Sequence, residues 1–213
     1  MRISHKNKFI WISKPKTGST SYRKLLDEHS DVFSCQEFPF HHHVTLAQLK
    51  STFEKEGWNF EDYYKIVGVR NPYTLVLSLF TYGKPDKNNV FWWQKSDSYK
   101  PDELSTFTSF ITNKSNHGWF YNRHRIDVYS NDLSGEQLAD LVFPVDLKNE
   151  FSTSFYKNTG ILLGEPPRLN NSEKSDILVE EVRDCFNSGD LHKVFLDIFE
   201  KDIARFDYLN PFK

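Results

Sequence analysis

The stretch Phe9-Ile10-Trp11-Ile12-Ser13-Lys14-Pro15-Lys16-Thr17-Gly18-Ser19-Thr20-Ser21 constrains the fold more than any other part of the chain. Phe9 to Ile12 is an unbroken apolar run of the length of a short buried strand. A loop of lysines, one glycine and small hydroxyl residues follows, and Tyr22 to Glu28 reads as a helix with Leu25 and Leu26 inward. Strand, tight loop and helix N-terminus together make an anion cradle, because the first-turn N–H groups are unpaired and carry partial positive charge. Gly18 lets the backbone approach an anion closely, and Lys16 supplies a point charge. Lys14, ahead of Pro15, reads as a flanking surface charge. The alternative for the whole stretch is a solvated Ser/Thr-rich turn.

The nucleotide-binding P-loop does not fit, because it needs an upstream glycine and a lysine after its second glycine. Here Lys16 precedes Gly18 and no glycine lies upstream. A second stretch, Tyr63 to Ser78, has a related form. Ile66 to Val69 reads as a buried strand; Asn71 as N-cap and Pro72 at the first helical position then open a helix. Arg70 ends the strand and Ser78 lies two turns into the helix.

Pro-Lys-Thr-Gly-Ser-Thr-Ser resembles the 5'-phosphosulfate loop of sulfotransferases that use 3'-phosphoadenylyl sulfate, and Arg-Asn-Pro-Tyr with Ser78 resembles their 3'-phosphate motif. Relatives often carry a second arginine where this chain has Leu75. The resemblance implies that Thr17, Gly18, Ser19, Thr20 and Ser21 hold the 5'-phosphate, with Lys16 stabilising the bridging oxygen. It implies that Arg70 and Ser78 hold the 3'-phosphate. Pro166-Pro167-Arg168-Leu169-Asn170-Asn171-Ser172 resembles a further family loop, making Asn170 and Ser172 binding candidates. The ending Phe199 to Tyr208 resembles the family's closing segment, whose role is packing.

Phe38-Pro39-Phe40-His41-His42-His43-Val44-Thr45 stands just ahead of a helix over about Leu46 to Glu56. Thr45 and Gln48 form its capping box and Gly57 its end. A polar loop, and a metal site from Cys35, His41 and His43 that lacks a clear fourth ligand, are both open readings. The segment also resembles the His-x-His-Val-Ser motif of uronyl 2-O-sulfotransferases, which makes His41 and His43 candidates for the base that takes the acceptor proton. His-x-Thr before the helix tilts the choice to His43. In an extended loop His42 would point the other way.

The chain has 213 residues and suits a single domain over 1–213. Aromatics reach 16% with 19 Phe, so the core is expected to be built on rings. A net charge of -2 argues against a broad nucleic-acid surface. Cys35 and Cys185 make no disulfide framework and read as buried thiols in a reducing compartment. No apolar run spans a bilayer and the N-terminus lacks a signal-peptide core, so a soluble, cytoplasmic protein is expected.

Residues 83–101, with Trp92 and Trp93, read as a lid or acceptor wall, and His117 to Arg125, with Arg123 and Arg125, as acceptor contacts or solvated charges. A helix is expected from about Leu104 to Thr112. Further on, Leu141 to Val145 reads as a strand and Leu147 to Asn158 as a helix closed by Gly160. Helices over about Asp176 to Asn187 and Asp190 to Phe206 complete the chain.

The alternation gives an α/β class: a three-layer α/β/α arrangement with a mostly parallel sheet, ligands binding at the C-terminal strand ends. With the resemblance, the expected fold is the P-loop-like sulfotransferase fold. The expected reaction passes a sulfuryl group from 3'-phosphoadenylyl sulfate to an acceptor hydroxyl, on a sugar or glycolipid. Adenosine 3',5'-bisphosphate is the product, and no metal is needed. A kinase-like phosphotransferase and a non-catalytic nucleotide-binding module are the rivals.

Overall fold

The structure, a computed structural model, describes residues 1–81, 106–145, 148–167 and 176–213. The expected lid at 83–101, and Asp146, Asn170 and Ser172, lie outside the described residues. The chain forms two compact units, each discontinuous in sequence: Met1–Arg70 with Ile126–Asn171, and Asn71–Arg125 with Ser172–Lys213.

The first unit is built on a five-stranded sheet from β1 (Arg2–Ser4), β2 (Phe9–Ser13), β3 (Val32–Phe33), β4 (Tyr64–Val69) and β5 (Leu141–Pro144), in the order β3-β1-β2-β4-β5. β2, β4 and β5 run parallel, whereas β1 is antiparallel to both β2 and β3. The sheet is therefore mixed, with a parallel half. The antiparallel flank follows from chain length. Only His5 to Lys8 separate β1 from β2, with Lys8 at φ 52, and so short a link joins antiparallel strands alone.

One face of the sheet carries Phe9, Trp11, Ile66 and Phe143. It packs with Tyr22 and Leu26 of helix α1 (Ser19–Leu26), and with Phe151 and Phe155 of the later helix Lys148–Thr159. Six of these eight side chains are rings, as the composition led us to expect. Trp11 stacks on Tyr22 with centroids 5.1 Å apart, and its indole N–H donates to Ser13 Oγ at 3.1 Å. On the other face Ile3, Ile10, Ile12 and Val67 are fully buried.

Helix α2 (Leu46–Glu56) has the expected ends. Thr45 and Gln48 exchange both capping-box bonds, and Gly57 closes the helix in the left-handed region at φ 71. The expectation of two buried thiols holds for Cys185 and fails for Cys35, which is exposed. Cys35 opens a tight loop, its N–H donating to the Phe40 carbonyl at 2.9 Å, and its thiol donates to the Glu37 carbonyl at 3.2 Å.

The second unit is helical in its described part: α3 (Pro72–Thr81), α4 (Phe107–Thr112), α5 (Lys114–Arg123) and, after α6 (Asp127–Ser130) and α7 (Lys148–Thr159) of the first unit, α8 (Asp176–Asn187) and α9 (Gly189–Ala204). Asn71 caps α3, its Oδ1 accepting from the Tyr73 N–H at 3.0 Å. Leu75 is completely buried in the apolar core of this unit, so it acts there as a packing residue. His117 lies in α5 and donates through Nε2 to the Ile111 carbonyl at 2.7 Å, while the Arg125 guanidinium sits 3.7 Å from the Tyr121 ring centroid.

Gly68, opposite Ser13 in the ladder, leaves room for the Trp11 ring: a Cβ there would lie 2.8 Å from Trp11 Cη2 and 2.9 Å from Cζ2. The indole is rigid and buried, so it yields little. Gly68→Ala should lower the unfolding free energy by about 1–3 kcal/mol in chemical denaturation. Trp11→Phe in the same chain should recover part of that loss, because the two changes share one contact.

Candidate anion-binding and proton-transfer site

The parallel pairing of β2 with β4 sets Ser13 against Gly68, so the residues after both strands leave the sheet side by side. Lys14 to Gly18 come from one strand end and Arg70 from the other. The C-terminal ends of parallel strands are where ligands gather in α/β sheets.

Lys16 is held in the left-handed region at φ 60, unusual for a residue with a Cβ, and Gly18 follows at φ 64. The Arg70 guanidinium donates to the Lys16 carbonyl at 3.1 Å, which fixes this backbone and also places Arg70 against the Lys16 side chain. The Lys16 ammonium is pushed down to about 8 from 10.5, first by burial and then by the charge of Arg70. Two cations brought together in a half-buried position form a site for an anion. Gly18 also opens α1 without a side-chain cap, the kind of helix start that suits an anion.

The loop side chains divide. Thr17 is fully buried, and its hydroxyl donates to the Lys14 carbonyl at 2.8 Å; it shapes the loop from inside. Ser19, Thr20 and Ser21 stand on the first turn of α1 with partial or full exposure. Lys14 is not the surface charge expected from its place before Pro15: it is fully buried. The reason is that Lys14 continues β2 directly and stays within the packed layer, whereas the turn out of it begins at Pro15. Ser78 lies on α3 in the second unit and is nearly buried.

The histidine segment is a turn and not the extended stretch expected, with the Val44 N–H donating to the His41 carbonyl at 3.2 Å. Its three rings have different partners. His43 Nδ1 lies 2.7 Å from the Ser13 carbonyl, which can only accept, so Nδ1 carries the hydrogen and Nε2 the lone pair. His41 Nδ1 accepts from the His43 backbone N–H at 3.1 Å, so in the neutral ring its hydrogen is on Nε2. His41 also stacks on Phe38, with centroids 5.3 Å apart. His42 turns to α1, where Arg23 donates to its Nδ1 at 2.9 Å.

Of the two candidate bases, His43 thus has the free acceptor nitrogen, and it is tied to the same strand end that launches the lysine loop. Burial pushes His43 down to about 4 from 6.5, partly opposed by the Ser13 bond and reinforced by His41 and Arg23. An anion bound among Lys16 and Arg70 would raise both groups again. Among the described residues no cluster of three His, Cys, Asp or Glu side chains could hold a metal ion, so Cys35, His41 and His43 do not assemble one. Among the same residues no helix is long and apolar enough to cross a membrane.

Sequence reasoning missed Ser13 and Arg23. The first acts through its backbone carbonyl and leaves no mark in the sequence. The second stands three residues after Thr20 on the same helical face, a signal that spacing carries but that only the fold links to His42. No family model, curated protein or solved structure matches this chain.

Inorganic sulfate keeps a constant charge across neutral and alkaline pH and is a suitable probe of the cradle. Its affinity should fall about tenfold between pH 7 and 9 as Lys16 loses its proton near 8. In Lys16→Met the affinity should be lower and flat over that range, as equilibrium titration will show.

His43 gives the opposite dependence in stability. Its folded value lies below the ordinary one, so between pH 6.5 and 4 the unfolded chain binds more protons and stability falls on acidification. His43→Asn keeps a donor for Ser13 and cannot titrate. Denaturation at pH 7 and pH 4.5 should show a smaller loss for this variant than for the wild type.

Proposed function

We propose that the protein is a sulfotransferase that moves a sulfuryl group from 3'-phosphoadenylyl sulfate to an acceptor hydroxyl, on a sugar or glycolipid. The observation that carries this reading is the meeting of Lys16, Arg70, the uncapped α1 and a neutral His43 at the C-terminal ends of β2 and β4. The three-layer arrangement, which rests on the strand–helix alternation, belongs to the same proposal, as do the P-loop-like architecture and the choice of a sugar, which rest on the resemblance.

In this mechanism the first turn of α1 takes the 5'-phosphate through its N–H groups, with Ser19, Thr20 and Ser21 beside them. Arg70 takes the 3'-phosphate, with Ser78 as the second contact the motif implies. The acceptor oxygen forms a bond to sulfur as the bond from sulfur to the bridging oxygen breaks. His43 Nε2 receives the acceptor proton, and Lys16 stabilises the charge that grows on the departing phosphate oxygen. Little covalent work falls to the protein: positioning and charge stabilisation supply the rate.

Calorimetric titration with adenosine 3',5'-bisphosphate, AMP and ATP with magnesium tests the donor assignment. The bisphosphate should bind roughly 10–100-fold more tightly than AMP, the worth of one charge-assisted phosphate contact, and Arg70→Ala should remove most of the difference. Equal affinities, or a preference for ATP with magnesium, would overturn the reading. Transfer of labelled sulfate to a panel of sugars and glycolipids then tests the chemistry. Lys16→Ala and His43→Ala should each depress it by roughly 10²–10⁴-fold, with smaller effects on bisphosphate binding.

A further inference from the structure

Arg23 stands on α1, the helix whose first turn opens the anion cradle, and its guanidinium reaches in two directions. NH1 donates to His42 Nδ1 at 2.9 Å and to Ser34 Oγ at 3.4 Å, and NH2 to Thr20 Oγ1 at 3.5 Å. Arg2 NH1 donates to the same Ser34 oxygen at 3.2 Å, and His42 Nδ1 lies 2.8 Å from it. Because guanidinium groups only donate, both arginines use lone pairs of Ser34 and His42. The Ser34 hydroxyl hydrogen and Arg23 NH1 then share the single lone pair of His42 Nδ1. The network closes only with His42 neutral at Nδ1, and burial and the charge of Arg23 hold that ring below its ordinary range.

We infer that Arg23 is a positioning residue for the transfer reaction, coupling the anion-binding turn of α1 to the aim of His43 through His42. The inference rests on the sulfotransferase reading for its catalytic part. The coupling itself rests on geometry. Thr20 belongs to the first turn of α1, where an anion would bind, and His42 is bonded directly to His43 in a turn closed from Val44 to His41. A stiff turn cannot move His42 without moving His43. The second tether of His43, the Ser13 carbonyl, comes from β2, so the ring is held between the strand and the helix that flank the lysine loop. A planar, forked cation suits this place, because it meets Thr20 and His42 at once; a lysine would reach one.

The competing role is a purely structural one, with Arg23 stapling α1 to the segment around Ser34. Imidazole NMR of His43, kcat and the donor KM separate the two. On addition of adenosine 3',5'-bisphosphate the His43 ring signals should shift in the wild type, and the shift should shrink by at least half in Arg23→Met. For that variant kcat should fall roughly 10–100-fold while the donor KM stays within about threefold, the pattern of a misaimed group and not of a lost ligand.

His42→Asn keeps an acceptor for Arg23 and should preserve both readouts; His42→Leu removes it and should behave as Arg23→Met, which carries the test if Arg23→Met does not fold. A wild-type His43 shift and kcat in Arg23→Met, or in His42→Leu, would overturn the inference. Should no acceptor be sulfated by the wild type, the reaction proposal fails on its own, and the His43 shift still decides the coupling. Its loss in Arg23→Met and His42→Leu supports the link, and its persistence removes it.

Discussion

Lys16 and Arg70 repel each other, and the site exists because the parallel ladder between β2 and β4 holds them together regardless. The cost is visible in two places. Lys16 adopts a left-handed backbone that a side chain disfavours by about 1–2 kcal/mol, and its ammonium is driven down to about 8. Arg70 relieves part of the first cost by donating to the Lys16 carbonyl, and in doing so increases the second. Such a pair is stable only when the scaffold around it is rigid. Here the rigidity comes from the ring-built core under β2, where Trp11 sits between Tyr22 and the bare backbone of Gly68. Bound negative charge would relieve the second cost, since it offsets the repulsion between Lys16 and Arg70.

The end of β2 organises the second half of the site as well. The Ser13 carbonyl orients His43, and the Lys14 carbonyl takes the Thr17 hydroxyl to close the loop beneath Lys16. One strand end therefore sets both a cation and a base, which would let a shift in either be felt by the other. It also explains why Lys14 lies buried: it belongs to the strand's packed layer, and the chain leaves that layer at Pro15.

Much of this was legible in the residues. The capping box of Thr45 and Gln48 with Gly57, the Asn71-Pro72 start of α3 and the Gly160 stop of α7 all act through local bonds, and the boundaries fell where those bonds put them. β1 was harder to see. It is three residues long and becomes a strand only by pairing between β2 and β3, so nothing in its own pattern marks it. α5 has Gly118 within it and little apolar periodicity, and its register comes from Phe120 reaching the second unit's core. Burial of Lys14 and exposure of Cys35 run against residue type, and only tertiary placement reveals them.

The histidines show where sequence reasoning stops and why. Three identical residues in a row invite a choice by position, and alternation along an extended strand was the available rule; the turn at His41 to Val44 removes its premise. What separates the rings is the polarity of the group that meets each Nδ1. A backbone N–H meets His41 and a guanidinium meets His42, so both spend the Nδ1 lone pair and, when neutral, carry hydrogen on Nε2. A carbonyl meets His43, and the hydrogen is spent instead, leaving the lone pair on Nε2. A proton acceptor needs that last arrangement and cannot use the other two without a tautomer change that breaks a bond. The proposal of His43 as the base thus rests on one carbonyl oxygen at the end of β2, a group every residue possesses and no sequence motif records.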